Sequence, residues 1–259
     1  MKLKVHGTAG PWVVKVSGIA GGVRLYDEEV TAAVGAGFRV IALDTSGDRH
    51  DDPAREPITW ELLAAEVEAA IAQVGADRAV VWGTSFGCLV ALAAAVRRPA
   101  RIRGLLLCHP PDALRQPRAY PELLAWAARR RRPDLAARLL FSLSFGALTS
   151  WEAVAPALWW RLPALLSASI EAATPASTVR RKLELLFGDD PGVPSASSMG
   201  VEIVAGAWDL VAPLSGARRV ADRLPGARMT IMGYSGHAGA YARPRSYHRI
   251  VTGALARLS

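Results

Sequence analysis

Apolar and polar positions along this chain fall into blocks that alternate in kind. Leu3–Val5 and Trp12–Val16 read as two strands joined by the turn formers Gly7-Thr8-Ala9-Gly10. Phe38–Leu43 is apolar apart from Arg39 and suits a strand buried on both faces. Thr59 is placed to cap a helix running to about Val74, because Leu63, Val67, Ile71 and Val74 recur at i, i+4, i+8 and i+11 and share one face. Ala79–Trp82 predicts the next strand, Phe86–Arg97 a helix, and Ile102–Cys108 a further strand. Such alternation implies an α/β fold: a mostly parallel central sheet flanked by helices.

The rhythm breaks at Pro110-Pro111. From 113 to 199 no strand is evident, and helical stretches are punctuated by Pro117, Pro121, Pro133, Pro156, Pro163 and Pro175. The alternation then resumes, with strands at Val201–Ala205 and Met229–Met232 and helices at Leu214–Arg223 and Ser246–Leu258. An α-helical lid insertion, residues 113–199, therefore divides the core into a first part, residues 1–112, and a second part, residues 200–259.

One segment imitates a membrane span. Ala79 to Val96 carries no charge and has about the length a bilayer helix needs. Gly83-Thr84-Ser85-Phe86-Gly87 interrupts it, so a buried strand followed by a buried helix explains the apolarity better, and no membrane partner is expected. The short basic start is followed by no apolar run of leader length, and a cytoplasmic location is the default expectation. Cys88 and Cys108 each sit inside an apolar run and read as small buried hydrophobes.

The net charge of +8 is carried by 27 Arg against 4 Lys. Only Arg129-Arg130-Arg131-Arg132 clusters locally, and no nucleic-acid reading module accompanies it, so nucleic-acid binding is not expected.

The candidate chemistry starts at Gly83-Thr84-Ser85-Phe86-Gly87. A G-x-S-x-G run after a strand and before a helix places its serine on a tight turn with the hydroxyl projecting above the sheet. Ser85 needs a base and an orienting acid to become a nucleophile. Val201–Ala205 leads through Gly206-Ala207-Trp208 to Asp209, and Met229–Met232 leads through Gly233-Tyr234-Ser235-Gly236 to His237. Asp112, beyond the Ile102–Cys108 strand, is a competing acid. His6, His50, His109 and His248 are badly placed for the base, although His109, at a strand end, could line the pocket.

With these segments in view the chain resembles the α/β-hydrolase family. Gly206-Ala207-Trp208-Asp209-Leu210-Val211-Ala212-Pro213 looks like its acid loop, Ser235-Gly236-His237-Ala238 like its histidine loop, and Leu224-Pro225-Gly226-Ala227 like the segment before its last strand. The resemblance covers roughly Met1–Asp112 and Val201–Ser259 and lacks the family's first strand. It implies a catalytic triad of Ser85, Asp209 and His237. It also implies an oxyanion hole from the backbone N–H groups of Phe86 and Ile19. Two departures stand out. Ser17-Gly18 replaces the usual His-Gly, and Asp44-Thr45-Ser46-Gly47-Asp48-Arg49-His50 replaces Asp-x-x-Gly-x-Gly-x-Ser.

A serine at this position forms an acyl-enzyme, which suits esters, thioesters, amides or lactones. No metal motif, phosphate loop or dinucleotide fingerprint is present, so no cofactor and no metal are expected. The insertion holds four of the eight tryptophans and suggests an apolar pocket wall. Its 11 basic against 7 acidic residues point toward an anionic or carrier-linked substrate. The first expectation is a serine hydrolase cleaving an ester or related acyl bond of a small or medium apolar substrate through an acyl-enzyme on Ser85. A thioesterase, acyltransferase or carbon–carbon bond hydrolase is the second, and a ligand-binding relative with little turnover the third.

Overall fold

The computed structural model of the protein describes residues 1–19, 22, 26–49, 51, 57–112, 174–195 and 199–259. Most of the expected lid, including Arg129–Arg132 and Trp126, Trp151, Trp159 and Trp160, lies outside the described residues, as do His50 and Gly21. The elements in chain order are β1 (Lys2–His6), β2 (Trp12–Val16), α1 (Asp27–Gly35), β3 (Arg39–Asp44), α2 (Trp60–Gln73), β4 (Ala79–Thr84), α3 (Phe86–Arg97), a 3-10 turn (Pro99–Arg101), β5 (Ile102–Cys108), α4 (Ala176–Gly188), β6 (Gly200–Gly206), α5 (Leu214–Asp222), β7 (Arg228–Met232), α6 (Gly239–Ala242) and α7 (Pro244–Leu258).

Seven strands form one sheet in the order β1-β3-β2-β4-β5-β6-β7. Only β1 runs antiparallel, pairing with β3 from Lys2↔Asp44 to His6↔Val40, so β1 and β2 are not a hairpin despite the turn between them. The other pairings are parallel. Successive strand side chains point to opposite faces, and both faces are covered. Val13, Val40, Val80, Trp82, Leu106, Cys108 and Val204 pack with Val30 of α1 and Val251 and Leu255 of α7. Val14, Val16, Ile41, Leu43, Val81, Leu105, Leu107 and Ile203 pack with Leu63, Val67 and Ile71 of α2 and with Leu89 and Leu92 of α3. Burial on both faces is why these strands read as continuous apolar runs.

The apparent membrane span resolves into β4 and α3, each buried along nearly its whole length. No helix among the described residues is long and apolar enough to cross a membrane. Thr59 caps α2 as expected: its hydroxyl accepts the Leu62 N–H at 3.1 Å. Helix α1 carries no clear apolar stripe in the sequence, because one of its three buried residues is Glu29.

Helix α4, inside the segment read as insertion, packs on the core through Leu185 and Leu186. Its Lys182 ammonium lies 2.5 Å from the Asp48 carboxylate and 3.2 Å from the Thr45 hydroxyl. Thr174 donates its hydroxyl to the Asp48 carbonyl. The polar loop after β3, which departs from the family pattern, is thus a seat for this segment. Glu66 of α2 holds the same loop by accepting the Ser46 N–H and hydroxyl.

Candidate active site

Ser85 lies between the end of β4 and the start of α3 in a backbone conformation (φ 53°, ψ −121°) that non-glycine residues seldom adopt. The surrounding main chain enforces it. A β-carbon on Gly83 would sit 2.3 Å from the Gly87 carbonyl oxygen, and one on Gly87 would sit 2.4 Å from the Ser17 carbonyl oxygen. Both ends of the G-x-S-x-G run are therefore closed to any side chain. The Ser85 N–H donates to the Cys108 carbonyl at 2.8 Å, tying the turn to the end of β5.

The loop after β6 carries Asp209 and the loop after β7 carries His237. The Ala207 N–H donates to the Met232 carbonyl, and the Trp208 N–H to the Ser235 carbonyl, so the two loops are laced by main-chain bonds. His237 Nδ1 donates to Asp209 Oδ2 at 2.8 Å, and its Nε2 lies 3.0 Å from Ser85 Oγ. The three residues expected to form the triad are brought together in hydrogen-bond sequence. Asp112, the competing acid, turns elsewhere and accepts from Arg219 Nε at 2.5 Å.

Asp209 is buried and fully engaged. Its Oδ1 accepts the Val211 and Ala212 N–H groups at 2.9 and 2.7 Å, while Oδ2 accepts a second imidazole, His109 Nδ1, at 3.0 Å. Burial works to raise its pKa, but the His237 imidazole and the His109 hydrogen bond outweigh burial and hold the carboxyl well below the usual carboxylate range. His109, Asp209 and His237 put potential ligand atoms within 4.8 Å of one another, yet an ion there would have to displace both N–H···O bonds.

The loop after β2 approaches from the other side. A β-carbon on Gly18 would stand 3.7 Å from Ser85 Cβ, which places Ser17-Gly18-Ile19 beside Ser85. The Gly18 N–H donates to the Tyr26 hydroxyl at 3.3 Å. Burial, reinforced by Glu29, pushes the Tyr26 phenol far up, so it stays neutral. Beneath it the Lys15 ammonium is completely buried, 3.0 Å from Glu29, 2.5 Å from the Thr84 hydroxyl and 3.9 Å from the Trp82 ring centroid. A polar support of Lys15, Glu29 and Tyr26 thus stands under a loop that lacks the usual His-Gly. Phe86 opens α3 directly after Ser85, and its ring stacks on Trp60 at 5.3 Å. Sequence reasoning set His109 aside and did not single out Lys15, Glu29, Tyr26 or Lys182; a lysine inside an apolar strand was the one available signal.

An α/β sheet with a strained serine turn and an Asp–His pair on adjacent strand ends defines a class, and the sequence profile of the alpha/beta hydrolase fold matches residues 11–241. The chain belongs to this family and is a hydrolase-type enzyme. The match runs through the segment read as insertion, which widens the extent of resemblance legible in single motifs. Among individual proteins, the chain is 25% identical over 264 residues to RutD of Escherichia coli O139:H28, named as a carbamate hydrolase, covering 96% of this chain and 92% of that one. Among solved structures it is similar to BpoC of Mycobacterium tuberculosis H37Rv, named as a non-heme bromoperoxidase (24% identity, TM-score 0.81, 100% and 96% covered). The esterase of Exiguobacterium antarcticum also superposes well (16% identity, TM-score 0.82, 98% and 94% covered).

Proposed function

We propose that the protein hydrolyses an ester or related acyl bond through an acyl-enzyme on Ser85, with His237 as general base and Asp209 as the orienting acid. The reading is carried by the continuous path Ser85 Oγ to His237 Nε2 at 3.0 Å and His237 Nδ1 to Asp209 Oδ2 at 2.8 Å. In this mechanism Ser85 Oγ attacks the carbonyl carbon while Nε2 takes its proton, and the resulting oxyanion collapses as His237 protonates the leaving group. Water, deprotonated by the same imidazole, then releases the acid and restores Ser85. Ionised Asp209 stabilises the imidazolium formed in each half.

The oxyanion would be met by the Phe86 and Ile19 backbone N–H groups. The Gly18 N–H is already taken by Tyr26, which leaves Ile19 as the next donor in that loop. Segment 113–199 acts in this reading as a lid over a small, apolar acyl substrate. The exposed Trp208, Leu210 and Tyr234 on the acid and histidine loops agree with an apolar partner. Carbamates belong to the same acyl class, so the relative's name is compatible with this chemistry. A thioesterase, an acyltransferase and a carbon–carbon hydrolase would use the same three residues.

The test is intact-protein mass after treatment with a fluorophosphonate probe, followed by p-nitrophenyl esters of increasing chain length. One adduct on the wild type, absent from Ser85→Ala and much slowed in His237→Ala, is the expected result. Folded wild-type protein that takes no adduct would overturn the reading in favour of a binding protein with little turnover.

A further inference from the structure

Asp209 serves two histidines through one oxygen. His109 ends β5 in left-handed backbone (φ 56°), a region that histidine and asparagine tolerate better than most residues. Its Nδ1 lies 3.0 Å from the same Oδ2 that His237 engages at 2.8 Å. An ionised carboxylate can only accept, so both imidazoles present an N–H to it. His109 Nε2 is buried and has no partner among the described residues. A bare lone pair there is tolerable, whereas a second N–H on a cationic ring would be left unpaired out of water.

Among the described residues, the groups facing His109 supply no alternative charge. The Tyr247 ring of α7 stacks on it at 6.0 Å with planes 7° apart, and Cys108 precedes it in β5. Burial pushes the Tyr247 phenol well up and the Cys108 thiol up to about 11, so both stay neutral. Glu29 of α1 is paired with Lys15. The His248 ring lies edge-on to Tyr247, with centroids 6.3 Å apart. From α6, Gly239 packs against Nε2 without a side chain.

We propose that His109 is a positioning residue: as the neutral Nδ1–H tautomer it donates to Asp209 Oδ2 beside His237, orienting the carboxylate and drawing off part of its charge. This rests on Ser85, His237 and Asp209 acting as nucleophile, base and acid. Asp209 stabilises protonated His237, and a second donor on the same oxygen weakens that stabilisation. The Asp209 charge available to the imidazolium is therefore smaller than in a simple Asp–His pair, which extends activity toward acid.

Two variants and one spectrum test this. His109→Phe keeps the ring and removes the donor. His109→Asn puts an amide N–H close to where Nδ1 stood and suits the backbone. The acid limb of kcat/KM for a p-nitrophenyl ester should move up by about one pH unit in His109→Phe and return close to wild type in His109→Asn. The rate of fluorophosphonate labelling should follow the same shift. Nitrogen-15 spectra of imidazole-labelled wild type give a readout independent of turnover and of whether His109→Phe folds. His109 should be the neutral Nδ1–H tautomer under the conditions of the assay. An Nε2–H or cationic His109, or a folded His109→Phe with an unmoved acid limb, overturns the proposal. Labelling that survives in Ser85→Ala would instead overturn the parent reading and leave the tautomer result intact.

Discussion

Lys182 and Asp48 form an ion pair shielded from water, with side chains 1% and 0% exposed and nitrogen and oxygen 2.5 Å apart. They are 134 residues apart in sequence, and they join α4 to the loop after β3. Removing one partner strands a buried charge, which typically costs about 3–5 kcal/mol. Lys182→Met should lower unfolding stability in urea by about that amount, and adding Asp48→Asn, which removes the stranded charge and keeps an acceptor for Thr45, should recover part of it. Equal stability of Lys182→Met and wild type would show that the pair does not hold this segment.

Asp209 and Asp112 are separable by substitution. Asp209→Asn should lower kcat by up to about 10⁴-fold, because the amide no longer fixes the His237 tautomer. Asp112→Asn weakens a charged contact to Arg219, its side-chain partner among the described residues, and should leave kcat nearly unchanged. Steady-state kinetics on both purified variants, with circular dichroism to establish folding, decide between the two acids.

Asp209 also makes stability depend on pH. Its folded-state ionisation lies below the ordinary carboxylate value of 3.8, so its charge contributes stability above that value. The contribution fades as pH falls further, through the folded-state ionisation. The difference in melting temperature between wild type and Asp209→Asn should be largest near neutrality and shrink below about pH 4. A difference independent of pH would mean that lost packing, and not charge, weakens the variant.

Tyr26 offers a probe of the loop beside Ser85. Tyr26→Phe removes the acceptor of the Gly18 N–H and leaves the ring over Lys15 in place. If that bond helps aim the Ile19 N–H, kcat should fall by up to about 10²-fold, the lower range for a lost oxyanion donor, with KM little changed. An unaltered kcat would detach Tyr26 from the chemistry.

What could be read in advance followed from local rules. Helix α3 and strand β5 have the expected ends, because the first is an uncharged run up to Arg97 and the second is apolar apart from Arg103. Ser85, Asp209 and His237 were legible because each follows a strand within a recognisable short pattern. Asp48 and Lys182 were not, since nothing near either residue announces a partner so distant in the chain. His109 was passed over for a similar reason. A lone histidine at a strand end has no periodic signature, and its meaning depends on a carboxylate 100 positions later. Glu29 hid α1 by placing a charge where a helix normally shows its apolar stripe, a charge satisfied only once β2 brings Lys15 against it.

The last peptide unit of β5 touches both halves of the site. The Cys108 carbonyl receives the Ser85 N–H, and the next side chain, His109, bonds Asp209. One strand end thus serves as a common datum for Ser85 and Asp209. A small slide of β5 within the sheet would carry both residues in the same direction, so their separation changes less than either position. The precision that the proposed proton transfer through His237 requires is in this sense a property of differences, and a shared strand end keeps that difference small.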